Sequence, residues 1–304
     1  LTVVAGIMIG GGTQARSFVV GMFLAFAFYS IASTVLGRTV AWGEGAGDAF
    51  AGLAGSKNSF GDFTGLAIIS TVAALALFVK ERRVLSAAFC VALLPVMFSN
   101  LLDTRATSAL LATLIAVGSL LALLFSRRME VQARTGILIG AILVGMIALI
   151  TLDFWLPPLF EWLLDAAGKD EGLTGRVDLW AFAQGIMDQN PFIGIGYNAF
   201  WVQGNPGAEQ MWDMMGISTR SGFNFHNTFI EIRVHNGWVG LAIYFAVWAY
   251  AALRLLARTV LSPAIHLIMA SCVVFFFTVK LQFEVIAYET MQFSTVIGFA
   301  VLAL

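Results

Sequence analysis

Three short constellations in this sequence carry residue types that can bind an anion or move a proton. They are Thr174-Gly175-Arg176-Val177-Asp178-Leu179-Trp180, Asn190-Pro191-Phe192-Ile193-Gly194-Ile195-Gly196-Tyr197 and His226-Asn227-Thr228-Phe229-Ile230-Glu231. All three fall between about 153 and 237, the one long polar segment among long apolar runs. A connection of that length is usually functional or disordered, and its Trp, Phe and Met residues argue against disorder.

The spacing predicts a helix over 176–189, with Asp178 in its first turn and Asn190-Pro191 ending it. Arg176, Trp180 and Gln184 then share one stripe. Two readings of that stripe stand side by side. Arg176 could contact lipid headgroup phosphates with Trp180 in an interfacial aromatic belt, or its planar fork could hold a phosphate of a substrate.

Gly194-Ile195-Gly196-Tyr197-Asn198-Ala199 formally matches a dinucleotide fingerprint, but that motif needs a strand before it and a helix after it, and neither is expected. The glycines are read instead as a sharp turn back into the headgroup zone, with Tyr197, Phe200 and Trp201 as anchors. Their N–H groups remain open as part of an anion site. His226-Asn227 is expected to begin a second helix leading into the apolar run at 237. On it His226, Ile230 and Arg233 would share a face, and Glu231 and His235 would form an i, i+4 pair. A lone histidine is more often structural than catalytic, but this one ends a long loop near several arginines. Histidine is also the side chain that exchanges a proton near neutral pH. No acidic i, i+2 pair and no Cys/His cluster has metal-ligand spacing, so neither metal nor cofactor is expected. No nucleophile-elbow motif occurs either.

The elements that must hold these residues are set by composition. Of the 304 residues 59% are hydrophobic and 12% charged, with a mean hydropathy of +0.87; soluble domains average about 25% charged. The chain therefore reads as an all-α polytopic membrane protein. Apolar segments long enough to span are expected at 1–15 (partial), 17–36, 61–79, 84–100, 107–125, 136–153, 237–254, 264–281 and 289–304, about nine helices in all. The segment at 84–100 is short and carries Pro95, and 37–60 is a Gly-rich loop. Opening at Leu1 and closing at Leu304 inside apolar runs, the chain is expected to be part of a longer protein. Cys90 and Cys272 sit inside apolar runs as small buried hydrophobes. Three regions follow: transmembrane helices with short loops over 1–152, one large extracytoplasmic loop with the active site over 153–236, and C-terminal transmembrane helices over 237–304.

Orientation follows from basic residues near span ends. Lys80, Arg82, Arg83, Arg127, Arg128, Arg134, Arg254 and Arg258 fall in links after alternate spans, with Arg16 in the first. If these are cytoplasmic, 153–237 lies outside. Lys280, Glu284 and Glu289 cluster at one outer hairpin, and Asp103 with Arg105 at another. Mid-span charge is scarce, although an ionisable group deep in a bilayer costs at least ~2.5 kcal/mol and usually marks a transport path. Chemistry at the outer face is favoured over passage through the membrane.

The order Gly175-Arg176-x-x-Leu179-Trp180, Asn190-Pro191-x-x-Gly194-x-Gly196-Tyr197-x-x-Phe200-Trp201, His226-Asn227-x-Phe229-Ile230 and Gly237-x-x-Gly240-Leu241 resembles the O-antigen ligase/polymerase superfamily. The Phe200-Trp201 ending is most similar to its bacterial exopolysaccharide polymerases. Ser56-Lys57-Asn58 and Thr104-Arg105-Ala106, each at the entrance to a span, agree, so the resemblance runs from about 55 to 241.

The resemblance implies a metal-independent glycosyltransferase with the second class of the C-type glycosyltransferase fold. It would act on undecaprenyl-pyrophosphate-linked oligosaccharide at the outer side of the bacterial cytoplasmic (inner) membrane. Arg105 and Arg176 would hold the diphosphate and His226 would be the base. Lys57, Arg220, Trp180, Tyr197, Asn227 and Glu231 complete the expected substrate-binding set, with Glu231 next in line as base. The chemistry fits: a pyrophosphate leaving group gains charge that fixed cations stabilise, and attack from the opposite face inverts C1. The implied partners are the lipid-linked donor, a glycan acceptor, membrane lipid, and chain-length and export proteins, with no nucleic acid. A ligase delivering glycan to lipid A-core or protein shares the chemistry. A lipid-linked glycan transporter and a non-catalytic export scaffold are the readings from other classes.

Overall fold

The computed structural model describes residues 12–41, 48–150, 176–289 and 292–304. Among these the elements run α1 (Gly12–Leu36), β1 (Arg38–Ala41), β2 (Asp48–Gly52), α2 (Lys57–Lys80), α3 (Val84–Asp103), α4 (Thr107–Ser126), α5 (Val131–Ile150), α6 (Arg176–Gln189), α7 (Pro206–Met214), α8 (Thr228–Leu261), α9 (Ile265–Lys280) and α10 (Phe293–Leu302). Among the described residues five helices are long and apolar enough to cross a membrane: α1 from Gln14, α2, α3, α4 and α8. The protein is a helical, multi-pass membrane protein. The expected spans at 264–281 and 289–304 are the shorter apolar helices α9 and α10. The segment at 136–153 is helical as α5 to Ile150, and that at 1–15 lies almost wholly outside the described residues. α3 continues past Pro95 to Asp103, longer than its apolar run suggested.

The Gly-rich loop expected at 37–60 carries a short antiparallel hairpin of β1 and β2, with Thr39 opposite Phe50 and Ala41 opposite Asp48. Strands of four and five residues, rich in Gly and Ala, show too little alternation to announce themselves. The hairpin is secured on α2, where the Phe50 ring meets Phe60 edge-on at 5.2 Å.

The chain divides into two compact units. The first comprises the described residues of Leu1–Thr135, Ala251–Lys280 and Val296–Leu304. Its centre is α2, which packs against α1, α3, α4, α9 and β2. Small residues set that packing, as is usual where no hydrophobic drive separates helix from lipid. A Cβ on Gly61 would come within 2.9 Å of the Ala109 methyl, and one on Gly65 within 2.5 Å of Thr113 Oγ1 and 2.6 Å of the Phe276 ring. α4 answers with buried Ala109, Ala112, Thr113 and Ala116. Lys280 is not a surface charge of an outer hairpin. It is 0% exposed, 2.9 Å from Asp62 and 3.0 Å from Ser108 Oγ, joining the ends of α9, α2 and α4.

The second unit comprises the described residues of Gly136–Tyr250 and Leu281–Thr295. Its core takes Leu179, Ala183 and Met187 from one stripe of α6, Ala208, Met211 and Trp212 from α7, and Phe200, Phe225 and Val234. α8 breaks at Gly237 (φ 62°, ψ −162°). Its apolar run starts after the break, so 238–261 is the part able to cross a membrane. Residues 228–236, with Glu231, Arg233 and His235, lie outside that span and pack in the loop unit.

Candidate active site around Glu284

The site is built on two local devices. The first is the start of α8. Asn227 caps it, its Oδ1 accepting the N–H groups of Phe229 (2.9 Å) and Ile230 (3.2 Å), while its amide donates to the Gln282 carbonyl (3.1 Å). Such a cap satisfies N–H groups that a helix start leaves orphaned. Thr228 adds a second link to the same strap: its N–H donates to the Leu281 carbonyl and its hydroxyl to the Glu284 carbonyl. The Ile286 N–H donates back to that hydroxyl. The 281–286 strap is thus laced to the helix start by four hydrogen bonds, which join Asn227 and Thr228 to Leu281, Gln282, Glu284 and Ile286.

The second device is a clasp on the α8 break. Ile195 and Gly196 donate their N–H groups to the carbonyls of Val234 (3.0 Å) and His235 (2.8 Å). Trp238 and Val239 donate theirs to Pro191 and Phe192. Gly194 and Gly237 are the contact points. A Cβ on Gly194 would lie 2.4 Å from the His235 carbonyl carbon, and one on Gly237 2.3 Å from Phe192. Both have positive φ, which only glycine adopts freely. The glycine pattern therefore serves backbone approach, and the anion-site reading of these N–H groups is set aside because both are already donated. Phe200 and Trp201 are likewise not membrane anchors. Phe200 is buried in the unit's core and Trp201 packs against it. Tyr197 stays half exposed, edge-on to Tyr288 at 5.5 Å.

What these devices bring together is a triad that sequence spacing did not reveal. Glu284 Oε2 lies 3.0 Å from His226 Nδ1, and its Oε1 lies 3.3 Å from Arg176 Nη2. Arg176 Nη1 donates to the Phe283 carbonyl at 3.1 Å. All three side chains are partly buried, so the ion pairing is screened less than at an open surface. In the sequence Glu284 stands out only as an outer-hairpin charge. It stands 58 residues from His226 and 108 from Arg176 in sequence, and no motif links them.

His226 does not share the expected helical face with Ile230 and Arg233. It precedes α8 in a left-handed conformation (φ 51°), and Arg105 and Arg220 are left-handed too. Such positions cost about 1–3 kcal/mol and gather at functional sites. Trp180 is not in a membrane belt: its indole N–H donates to the Phe225 carbonyl at 2.8 Å and its ring lies against the core. Gln184, the third member of that stripe, is exposed and donates to Asp188. Arg220 is clamped by Glu209 and Asp213 on α7.

Glu231 sits one layer below. It is 2% exposed, accepts the Phe225 N–H at 2.8 Å, and lies 3.6 Å from His235, itself 1% exposed. Burial pushes its carboxyl up to about 8 and pushes the His235 imidazole down to about 4, because both charged forms lose water. The pair is a neutral one near pH 7.

Lys57 and Arg105 belong to the first unit. Lys57 is buried in the first turn of α2, behind Ser56, whose Oγ accepts the Ser59 N–H. Arg105 is exposed in the turn from α3 to α4, beside Thr104, which caps that turn through the Ala106 N–H.

The fold is that of a helical multi-pass membrane protein, and comparison with known proteins gives its family. Residues 92–245 match the O-antigen ligase family, and the chain belongs to that family. It is 32% identical over 194 residues to the exopolysaccharide production protein ExoQ of Rhizobium meliloti (strain 1021). The match takes in 64% of this chain and 44% of that protein, so the chain spans less than half of that relative's length.

Proposed function

We propose that this protein is a glycosyltransferase of the inner membrane that joins undecaprenyl-pyrophosphate-linked oligosaccharide units at the extracytoplasmic face, inverting the sugar carbon. The observation that carries the reading is the Glu284 carboxylate held between His226 and Arg176. With Nδ1–H donating to Glu284, the lone pair of His226 is on Nε2, the tautomer a general base needs. Nε2 takes the proton of the acceptor hydroxyl as the oxygen attacks C1. The C1–O bond to the diphosphate breaks on the opposite face, and the leaving diphosphate keeps the electron pair. Arg176 meets that growing charge. A guanidinium carries five N–H donors, and its bonds to Phe283 and Glu284 fix its plane for a phosphate to approach. Such fixed donors are worth most where water is partly excluded.

Arginine keeps its proton, so the charge stabilisation needs no metal, and turnover should persist in EDTA. For Lys57 and Arg105 a share in donor binding rests on the family resemblance. The relative's name, an exopolysaccharide production protein, favours polymerisation. The family's description as a ligase favours delivery to a different acceptor, lipid A-core or protein. The deciding experiment is purified protein with a defined lipid-linked repeat unit, scored by mass. Longer glycans on the carrier indicate a polymerase, and product only with an added foreign acceptor indicates a ligase. No transfer in either arm overturns the reading.

A further inference from the structure

The turn that carries His226 holds further polar groups that the reaction above does not use. Asn224 accepts the His226 N–H through Oδ1 at 2.9 Å, and its side chain also hydrogen-bonds Glu289. Glu289 is therefore tied through one amide to the backbone of His226. Gln292 donates its amide to the same carboxyl, and the Thr295 hydroxyl fixes the Glu289 carbonyl at 2.6 Å. Tyr288 is held by its hydroxyl, which donates to Asn236, and by the His235 ring stacked at 6.3 Å. Tyr197 closes the edge against it and remains half exposed. Neither ring nitrogen of the buried His235 has a hydrogen-bond partner among the described residues. An unpartnered buried polar group is uncommon in a finished core.

We infer that Glu289, Asn224, Tyr197 and Tyr288 form the subsite for the acceptor glycan's sugar hydroxyls, an assignment that rests on the transfer reaction read above. A sugar ring offers apolar C–H faces and a rim of hydroxyls. The tyrosine rings match the faces, and a carboxyl beside an amide matches the rim, accepting from one hydroxyl and donating to the next. The two sets of groups suit different substrates. Arg176 carries the cation that a diphosphate requires. Glu289, Asn224 and the two tyrosines offer a diphosphate no counter-charge, whereas the hydroxyls of a neutral sugar need none.

The test uses the whole protein in detergent with two probes. One is the lipid-linked repeat unit as donor. The other is the free repeat-unit oligosaccharide, released from that unit by mild acid, as acceptor. Glu289→Gln keeps the shape, and Tyr197→Ala removes a half-exposed ring at little risk to folding. Each should raise the acceptor KM about tenfold or more, the worth of one good hydrogen bond or stacked face, while donor Kd stays within about twofold. Saturation-transfer NMR with the free oligosaccharide reads the same subsite without turnover, its signal present in the wild type and lost in Glu289→Gln. Unchanged acceptor KM in both variants, or an equal loss of donor affinity, overturns the subsite. A wild type that binds the oligosaccharide but never extends the lipid-linked unit overturns the transfer reading instead and leaves the sugar site standing.

Discussion

Glu284 Oε2 lies 3.0 Å from His226 Nδ1, across 58 residues of sequence. Two features set that distance. The 281–286 strap is bonded to Asn227 and Thr228, so the carboxylate is delivered beside the residue that precedes the cap. The left-handed backbone at His226 turns the imidazole off the helix face it would otherwise occupy. The His-Asn pair thus divides its labour. Asn227 fixes the helix start and the strap, and His226 takes the position those bonds create.

Substituting Glu284 by Gln should slow the chemical step more than it weakens donor binding. An amide can donate to Nδ1, which favours the tautomer whose Nε2 holds a proton and is unable to accept one. Single-turnover rate should fall about 100-fold or more, with donor Kd within about threefold. A rate at the wild-type level would remove Glu284 from the mechanism.

Stability should fall as pH rises from 6.5 towards 8. Glu231 has a folded pKa of about 8 against an ordinary 4.5, so its contribution is complete below 4.5 and is lost as pH rises through 8. His235 has a folded value of about 4 against 6.5, so its contribution is complete above 6.5 and is lost as pH falls through 4. The two oppose each other between roughly 4.5 and 6.5, and Glu231 alone acts above that window. The loss from pH 6.5 to 8 is about 2 kcal/mol. Thermal melts of the wild type should show it, and Glu231→Gln should melt nearly evenly over that window. A wild type that gains stability over it would mean Glu231 is ionised in the fold.

Much of this was legible in the chain, and the exceptions have physical reasons. α6 begins at Arg176 and ends before Asn190-Pro191 because an acidic first turn and a proline after the last turn are strong local signals. The turn at 191–196 was legible as glycine-dependent, but its purpose was not. Gly194 and Gly237 need each other, and a contact across the fold leaves no mark on spacing. Phe200 and Trp201 were misplaced for the same reason, since an aromatic pair has the same pattern in a core as at a membrane surface. Glu284 escaped because a single glutamate in a short link carries no period, cap or motif.

The clasp on the α8 break gives a sharp contrast between glycines. Gly194→Ala meets the His235 backbone at 2.4 Å from a positive-φ position, whereas a methyl on Gly185 of α6 meets nothing within 4 Å. Gly194→Ala should destabilise by more than about 2 kcal/mol. Gly185→Ala should be neutral or stabilise by about 0.5–1 kcal/mol. Melting temperatures in one detergent compare them directly, and equal values for the two variants would count against the clasp.

In the first unit, the buried Asp62–Lys280 pair should behave asymmetrically. Removing one partner by Asp62→Asn or Lys280→Met breaks the ion pair in a site with almost no exposure, at a cost of about 3–5 kcal/mol. Changing both to apolar residues should cost less than either single change, because no charge is left buried. A double-mutant cycle on melting decides it, and additive losses would show that the two side chains are not coupled.

The last contrast separates the charges around Glu284. Arg176→Lys keeps a positive charge but loses the planar fork that lets one side chain reach Phe283, Glu284 and a phosphate together, so it should impair turnover although it looks conservative. Arg176→Ala should weaken donor binding as well, because the ground-state diphosphate and the developing charge both meet that group. It also leaves Glu284 without its cation at the strap, so folding must be checked by melting before rates are compared. His226→Gln retains hydrogen bonding to Glu284 but takes no proton near neutral pH. Donor should still bind, while single-turnover rate falls by about 10²–10⁴-fold, the usual worth of a general base. If His226→Gln instead lost donor affinity and turned over bound donor at the normal rate, His226 would be a substrate ligand. Glu231 would then be a poor substitute as base, since it is buried behind Phe225 and held by that residue's N–H. The search would move to Glu289, which Asn224 ties to the same turn.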